Sequence, residues 1–154
     1  MEARKDARER KEAREQAALE WFINSKNECI TQTPMPEWSS FDNWLHSGGT
    51  DFCIEIKMRT EYSSTQIKRF GGAILEFEKL NGILSFQSKN HLSNRILYAN
   101  FFNDEVQIFE LDPNPKTYTW ELKYLQKDDY SKEKVWKWVS CMPQSKIIET
   151  RKYK

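Results

Sequence analysis

The first apolar stripe of the chain begins at Leu19. Leu19, Phe22 and Ile23 recur at helical spacing. Residues 2–16, by contrast, are almost all charged or alanine, with opposite charges often three or four apart, as on a solvated helix. No Gly or Pro occurs before Pro34, so one opening helix is expected, its packed part starting near Ala17. "ECITQT" (28–33) alternates and ends at Pro34 and Pro36. "FDNWL" (41–45) is a second short strand closed by the turn signal "HSGGT", and "DFCIEIKMR" (51–59) is a third. Residues 64–82, "STQIKRFGGAILEFEKLNG", read as one helix with a Ser or Thr cap, a stop at Gly82, and a buried stripe of Ile67, Phe70, Ile74 and Phe77. Within it, Gly71 and Gly72 each cost about 1 kcal/mol relative to Ala, which implies that something approaches that segment closely. "RILYANFF" (95–102) and "EVQIFEL" (105–111) form a hairpin around Asn103-Asp104, and "DPNPK" is a loop. The tail adds strands near "TYTWEL" and "KVWKWVS". This order predicts an α/β sandwich on a mixed central sheet.

Composition narrows the picture without redirecting it. A chain of 154 residues with six Trp and nine Phe is expected to form one packed domain. Charged residues make up 31% of it, yet the formal net charge is +1. Bulk charge therefore gives no argument for nucleic acid or membranes, and any polyanion site must be local. No apolar run approaches the roughly 18 residues of a spanning helix. Cys29, Cys53 and Cys141 are widely spaced and odd in number, which argues against a disulfide framework or a zinc site and for a reducing cytoplasm.

The third strand poses the chemical question. Alternation puts Asp51, Cys53, Glu55 and Lys57 on one face of an otherwise apolar strand. An E-x-K tripeptide alone means little, since Glu9-Arg10-Lys11 and Glu121-Leu122-Lys123 also occur. Glu55-Ile56-Lys57 differs in context: it follows a strand containing Asp42, between Phe41 and Trp44, and precedes a helix. Without any special role, Glu55 and Lys57 would be a structural ion pair at a sheet edge, a costly arrangement because two charges must be desolvated.

Asp42 in "FDNWL", a twelve-residue gap and then "EIK" (55–57) resemble the PD-(D/E)xK nuclease superfamily, which includes restriction endonucleases, Holliday-junction resolvases and small phage-encoded members. The segment "EIKMRTEYSSTQIKRFGGAILEFEKL" and the hairpin "ILYANFFNDEVQIFEL" extend the similarity over residues 17–111. Phe41 stands where the motif name has Pro. The resemblance implies a restriction-endonuclease-like α-β-β-β-α-β core with a mixed central sheet flanked by helices. Residues 1–16 would be a charged helical extension, 17–154 a single nuclease-like domain and 112–154 its C-terminal extension. It further implies hydrolysis of DNA phosphodiester bonds by water activated with Mg²⁺, or Mn²⁺ as a substitute. The alternative is an inactive member of the fold that binds nucleic acid or assists assembly. A phage or bacterial cytoplasmic setting, no membrane, and a homodimer or partner protein belong to the same expectation.

Mg²⁺ prefers hard oxygen ligands, usually one or two carboxylates completed by water and phosphate. Asp42 and Glu55 are the expected ligands, with the Ile56 backbone carbonyl and Glu20 of the first helix added by resemblance. Lys57 would orient the attacking water. Glu20 is equally well an ordinary boundary acid. Gln66, Lys68, Arg69 and Lys79 are candidate DNA contacts, although a solvated face explains the first three and an i,i+3 pair with Glu76 would explain Lys79. Asp51 reads as turn chemistry, His46 and His91 as surface or loop residues, and Cys53 as a packing thiol. Trp136 and Trp138, flanked by Lys134 and Lys137, could stack on bases; packing against the sheet is the simpler expectation.

Overall fold

The computed structural model describes residues 2–24, 30–34, 43–47, 50–90, 95–127 and 132–152. Helix α1 (Glu2–Asn24) runs unbroken, about 35 Å at 1.5 Å per residue, through the charged segment and the apolar stripe. Lys5–Glu9, Arg8–Glu12 and Lys11–Glu15 pair at i,i+4 along it. Its last turns bury Ala18, Leu19 and Phe22. Full burial of a residue such as Phe22 contributes about 1.5–3 kcal/mol, which anchors a helix whose first half has no apolar face.

Strands β1 (Ile30–Pro34), β2 (Asn43–Ser47) and β3 (Thr50–Met58) form an antiparallel meander. The chain then crosses over through α2 (Ser64–Arg69), β4 (Ala73–Glu76) and α3 (Phe77–Lys89) to β5 (Ile96–Phe101), which pairs parallel with β3. Strand β6 (Glu105–Glu110) returns antiparallel to β5. The six-stranded sheet has the order β1-β2-β3-β5-β6-β9, where β9 is Ile147–Lys152. It is mixed, as expected, and the α-β-β-β-α-β order is present with β4 and α3 inserted before β5.

Strand β3 is covered on both faces. Phe52, Ile54 and Ile56 pack with Ala18, Leu19 and Phe22 of α1, and Cys53 joins Leu80 and Ile83 of α3 on the other side. That double cover explains its nearly continuous apolar run.

The expected helix over 64–82 is corrected. It ends after Arg69, and a strand and a second helix follow. Gly71 and Gly72 have φ of +94° and +107°. The Gly72 N–H donates to the Ile67 carbonyl and the Gly71 N–H to that of Lys68, the paired bonds of a Schellman stop. The close approach implied by the glycines is real: a Cβ on Gly72 would sit 2.4 Å from the Met142 carbonyl oxygen. Phe70, assigned to a buried stripe, is 68% exposed, and α3 continues past Gly82 to Lys89.

Met142 ends β8 (Lys134–Met142), which pairs with β4 and with β7 (Glu121–Gln126) in a second sheet of order β4-β8-β7. The strand expected near "KVWKWVS" is therefore β8, whereas the one expected near "TYTWEL" (117–122) begins later, sharing only Glu121 and Leu122 with β7. Strand β9 was not anticipated; its isoleucines, Ile147 and Ile148, are adjacent and give no alternation.

Candidate active site

A cleft of about 570 Å³ opens between the two sheets. Glu55, Ile56 and Lys57 of β3 line it, with Tyr98 of β5, Glu76 of β4 and Lys79 of α3. Lys11 and Glu15 of α1, and Tyr124, Lys127, Lys134 and Lys137 around the β7–β8 hairpin, complete its rim. Among the described residues, seven Lys and Arg side chains line the cleft against four Glu. In a chain of net charge +1, this is the local cationic surface that bulk composition could not reveal.

Glu55 is 7% exposed. Its Oε1 lies 3.2 Å from the Lys79 amine. At an effective dielectric constant of about 20, that separation gives an attraction of about 5 kcal/mol, offset by the several kcal/mol needed to desolvate the ions. Stability alone thus gives little reason for the pair. Lys79 also sits in the first turn of α3, the end of a helix dipole that disfavours a cation. The proposed Glu76–Lys79 pairing within one helix is overturned. Glu76 belongs to β4 and accepts from Lys137 at 3.0 Å, which leaves Lys79 to meet Glu55.

Arg59, one step beyond Lys57 on the same alternating face, was missed. Its Nε donates to Asn100 Oδ1 at 2.9 Å and its Nη2 to the Ile74 carbonyl at 2.9 Å and the Tyr98 hydroxyl at 3.2 Å. The Tyr98 hydroxyl in turn donates to Ile74 O at 2.7 Å. Burial pushes the Tyr98 phenol pKa upward, against the lowering effect of Arg59. This network fastens β4 to the floor of the cleft. Extending the Asp51-Cys53-Glu55-Lys57 alternation by one residue would have found Arg59.

The remaining candidates separate clearly. Asp42 lies outside the described residues; the β2–β3 register is described as far as Asn43 opposite Ile54. Glu20 is exposed, accepts from Gln16 Nε2 at 3.3 Å, and does not line the cleft. Glu15 does, because Lys11, Glu15, Ala18, Leu19 and Phe22 follow one helical stripe and Glu20 is off it by one residue. Gln66, Lys68 and Arg69 are exposed and absent from the cleft lining. The Gln66 side chain accepts from the Ser63 N–H at 2.8 Å, closing a capping box worth about 1 kcal/mol, and the two cations fall in the last turn of α2.

Asp51 accepts from Trp44 Nε1 at 3.1 Å, a cross-strand tie. The His46 ring lies 4.6 Å from that of Trp44; Cys29 and His91 are outside the described residues. Burial raises the Cys53 thiol to about 11, partly opposed by a hydrogen bond from Gln87, so it is a packing thiol as expected. A larger cavity of about 880 Å³ around Leu111, Tyr118, Met142 and Pro143 holds none of these groups.

Among the described residues, no group of three or more His, Cys, Asp or Glu side chains is arranged to hold a metal ion, and no helix is long and apolar enough to cross a membrane. No family model matches the chain, and no curated protein does. Among solved structures, the chain is similar to Hjc, a Holliday junction resolvase of Archaeoglobus fulgidus, at 14% identity. The match covers 88% of this chain and 85% of that one, with a TM-score of 0.49.

Proposed function

We propose that this protein is a nuclease of PD-(D/E)xK type, hydrolysing DNA phosphodiester bonds in the cleft between its sheets with Mg²⁺. The observation that carries the reading is Glu55, a buried carboxylate on the floor of a cationic cleft. Lys57 stands two residues along the same face, and Lys79 is brought across from helix α3.

The donor set fits a hard divalent cation. Mg²⁺ is commonly held by one or two carboxylates and keeps several waters, so three clustered acids are not required. Glu55 and Asp42 would hold it with the Ile56 carbonyl; the chain reaches Asp42 one residue before Asn43, which is paired with Glu55's neighbour Ile54. When bound, the ion would stabilise charge on the phosphate oxygens and lower the pKa of a water. Lys57 would orient that water, and Lys79 would keep the Glu55 carboxylate aimed into the cleft. The auxiliary first-helix carboxylate is assigned to Glu15 in place of Glu20. Lys127 and Lys134 would contact flanking phosphates on the rim.

A second reading has its own observation: the Lys79–Glu55 pair already gives that carboxylate a cation, which favours an inactive nucleic-acid-binding member of the fold. Cleavage of plasmid and branched DNA with Mg²⁺ or Mn²⁺ separates the two. Wild type is expected to cut, and Glu55→Gln, Asp42→Asn and Lys57→Ala to lose at least about a hundredfold in rate, the scale of a removed charge-stabilising or proton-transfer group. Equal activity in all four proteins would assign the cutting to a contaminant. Absence of cutting, with no heat of Mn²⁺ binding by calorimetry, would leave the binding reading.

A further inference from the structure

The β7–β8 hairpin carries an aromatic face that hydrolysis in the cleft does not use. Register puts Leu122 opposite Trp138 and Tyr124 opposite Trp136. Cross-strand partners share a face, and so do residues two apart along a strand. All four are exposed, Trp136 by 65% and Trp138 by 54%. The expectation that these tryptophans pack against the sheet is therefore corrected. The same face is covered where it continues into β4: Ala73, Leu75 and Met142 are buried with Leu80 and Ile83 of α3. Among the described residues, the hairpin end of this face is the bare part.

Three features identify what such a face would take. The Tyr124 and Trp136 rings are stacked, with centroids 5.2 Å apart and planes 23° apart. The Lys134 amine stands 6.0 Å from the centroid of Tyr124. Tyr124, Gln126 and Lys134 also line the cationic cleft, so the aromatic face meets the cleft at Tyr124. An apolar protein partner would have no use for the cations, and a second copy of the chain would bring two basic rims together. A DNA duplex keeps its base faces inside its own stack. Unpaired bases present both a π-face and a flanking phosphate.

The geometry points to a stacking platform: Tyr124, Trp136 and Trp138 hold the bases of an unpaired DNA segment whose phosphates run into the cleft. This deepens, and rests on, the reading of the cleft as a path for DNA. It would direct cutting to substrates with a single-stranded stretch beside the scissile bond, such as flaps, gaps or branch points.

The test uses the full chain in EDTA, with fluorescence anisotropy of a labelled oligothymidylate and of a duplex of equal length. Wild type is expected to prefer the single strand, with its tryptophan fluorescence quenched on binding. Trp136→Ala and Tyr124→Ala should each weaken single-strand binding by about 5- to 150-fold, the range for loss of one stacked base, and erode the preference over duplex. Trp136→Phe should restore most of it. An alanine variant that melts like wild type yet binds the single strand undiminished overturns the proposal. So does a wild type without preference for the single strand. Light scattering in which Trp136→Ala turns a dimer into a monomer, with single-strand affinity unchanged, also overturns it and assigns the face to a second copy. Plasmid cleavage by wild type is scored separately. If wild type cuts but the stacking variants show no defect, this inference fails alone. If wild type does not cut but the variants lose single-strand affinity, hydrolysis fails and the platform stands.

Discussion

At the scale of single residues, the Glu55 face shows how far alternation reaches. It correctly put Asp51, Cys53, Glu55 and Lys57 on one side of β3, but their partners come from elsewhere in the chain. Lys79 is twenty-four residues on in sequence and reaches Glu55 only because Gly71-Gly72 breaks the segment between them. Spacing along one strand holds no information about such a partner. The same face separates its members by environment. Glu55 is at the open cleft, whereas Cys53 is 1% exposed and hydrogen-bonded by Gln87. Burial, assisted by the nearby Asp51 charge and opposed by Gln87, raises the Cys53 pKa from 9.0 to about 11. Between those values the unfolded chain gives up the Cys53 proton and the folded one keeps it. Stability is therefore unaffected by this group below about pH 9 and falls as pH rises toward 11. Urea melts are expected to show a steeper loss of stability over that range in wild type than in Cys53→Ala. Iodoacetamide at neutral pH should label Cys53 only once the protein is unfolded. Ready labelling in the native state, or parallel pH profiles, would contradict the buried neutral thiol.

Among elements, α1, β3 and the β5–β6 hairpin were legible because each carries its own period and its own punctuation. The segment 64–82 was not, since Ile67, Phe70, Ile74 and Phe77 satisfy helical spacing across a break that only backbone conformation reveals. Two adjacent glycines could mean a close approach inside a helix or the end of one; the positive φ values and the Schellman bonds decide for the end. The two glycines then have unequal tasks. A Cβ on Gly71 would meet Cys141 Sγ at 3.8 Å, an ordinary contact, so Gly71→Ala faces backbone strain alone, about 1–2 kcal/mol. Gly72→Ala adds a collision with the Met142 backbone at 2.4 Å. Its cost should exceed that of Gly71→Ala by at least about 1–2 kcal/mol, the usual scale of overpacking. Chemical denaturation of both variants measures the order. Because β8 is the strand pushed aside, the larger loss in Gly72→Ala should appear with increased hydrogen exchange in Lys134–Met142. Equal losses would mean that β4 and β8 are less closely joined than their register indicates.

Over the whole molecule, the tail is what composition and local pattern described least. Residues 112–154 do not trail from a finished core. Strands β7 and β8 build a second sheet on β4, and β9 crosses back to extend the main sheet beside β6. The cleft exists only because both happen: its floor is β3 and β5, its far rim the β7–β8 hairpin, and its cations come from α1, β3, α3 and the tail together. A net charge of +1 conceals this, since the acids that balance it stand largely elsewhere. Among the described residues, seven cations against four acids would leave about three positive charges to neutralise phosphates of a strand lying in the cleft. Each neutralised phosphate contributes a slope of about −0.7 in log K against log salt for single strands, so a slope near −2 is expected. Affinity for oligothymidylate should then fall by about twentyfold between 50 and 200 mM NaCl, and Lys134→Gln should flatten the slope by about 0.7. Anisotropy titrations across that range read both quantities. A slope near zero would mean that phosphates do not occupy the cleft, and a normal slope unchanged in Lys134→Gln would move their path away from the hairpin rim.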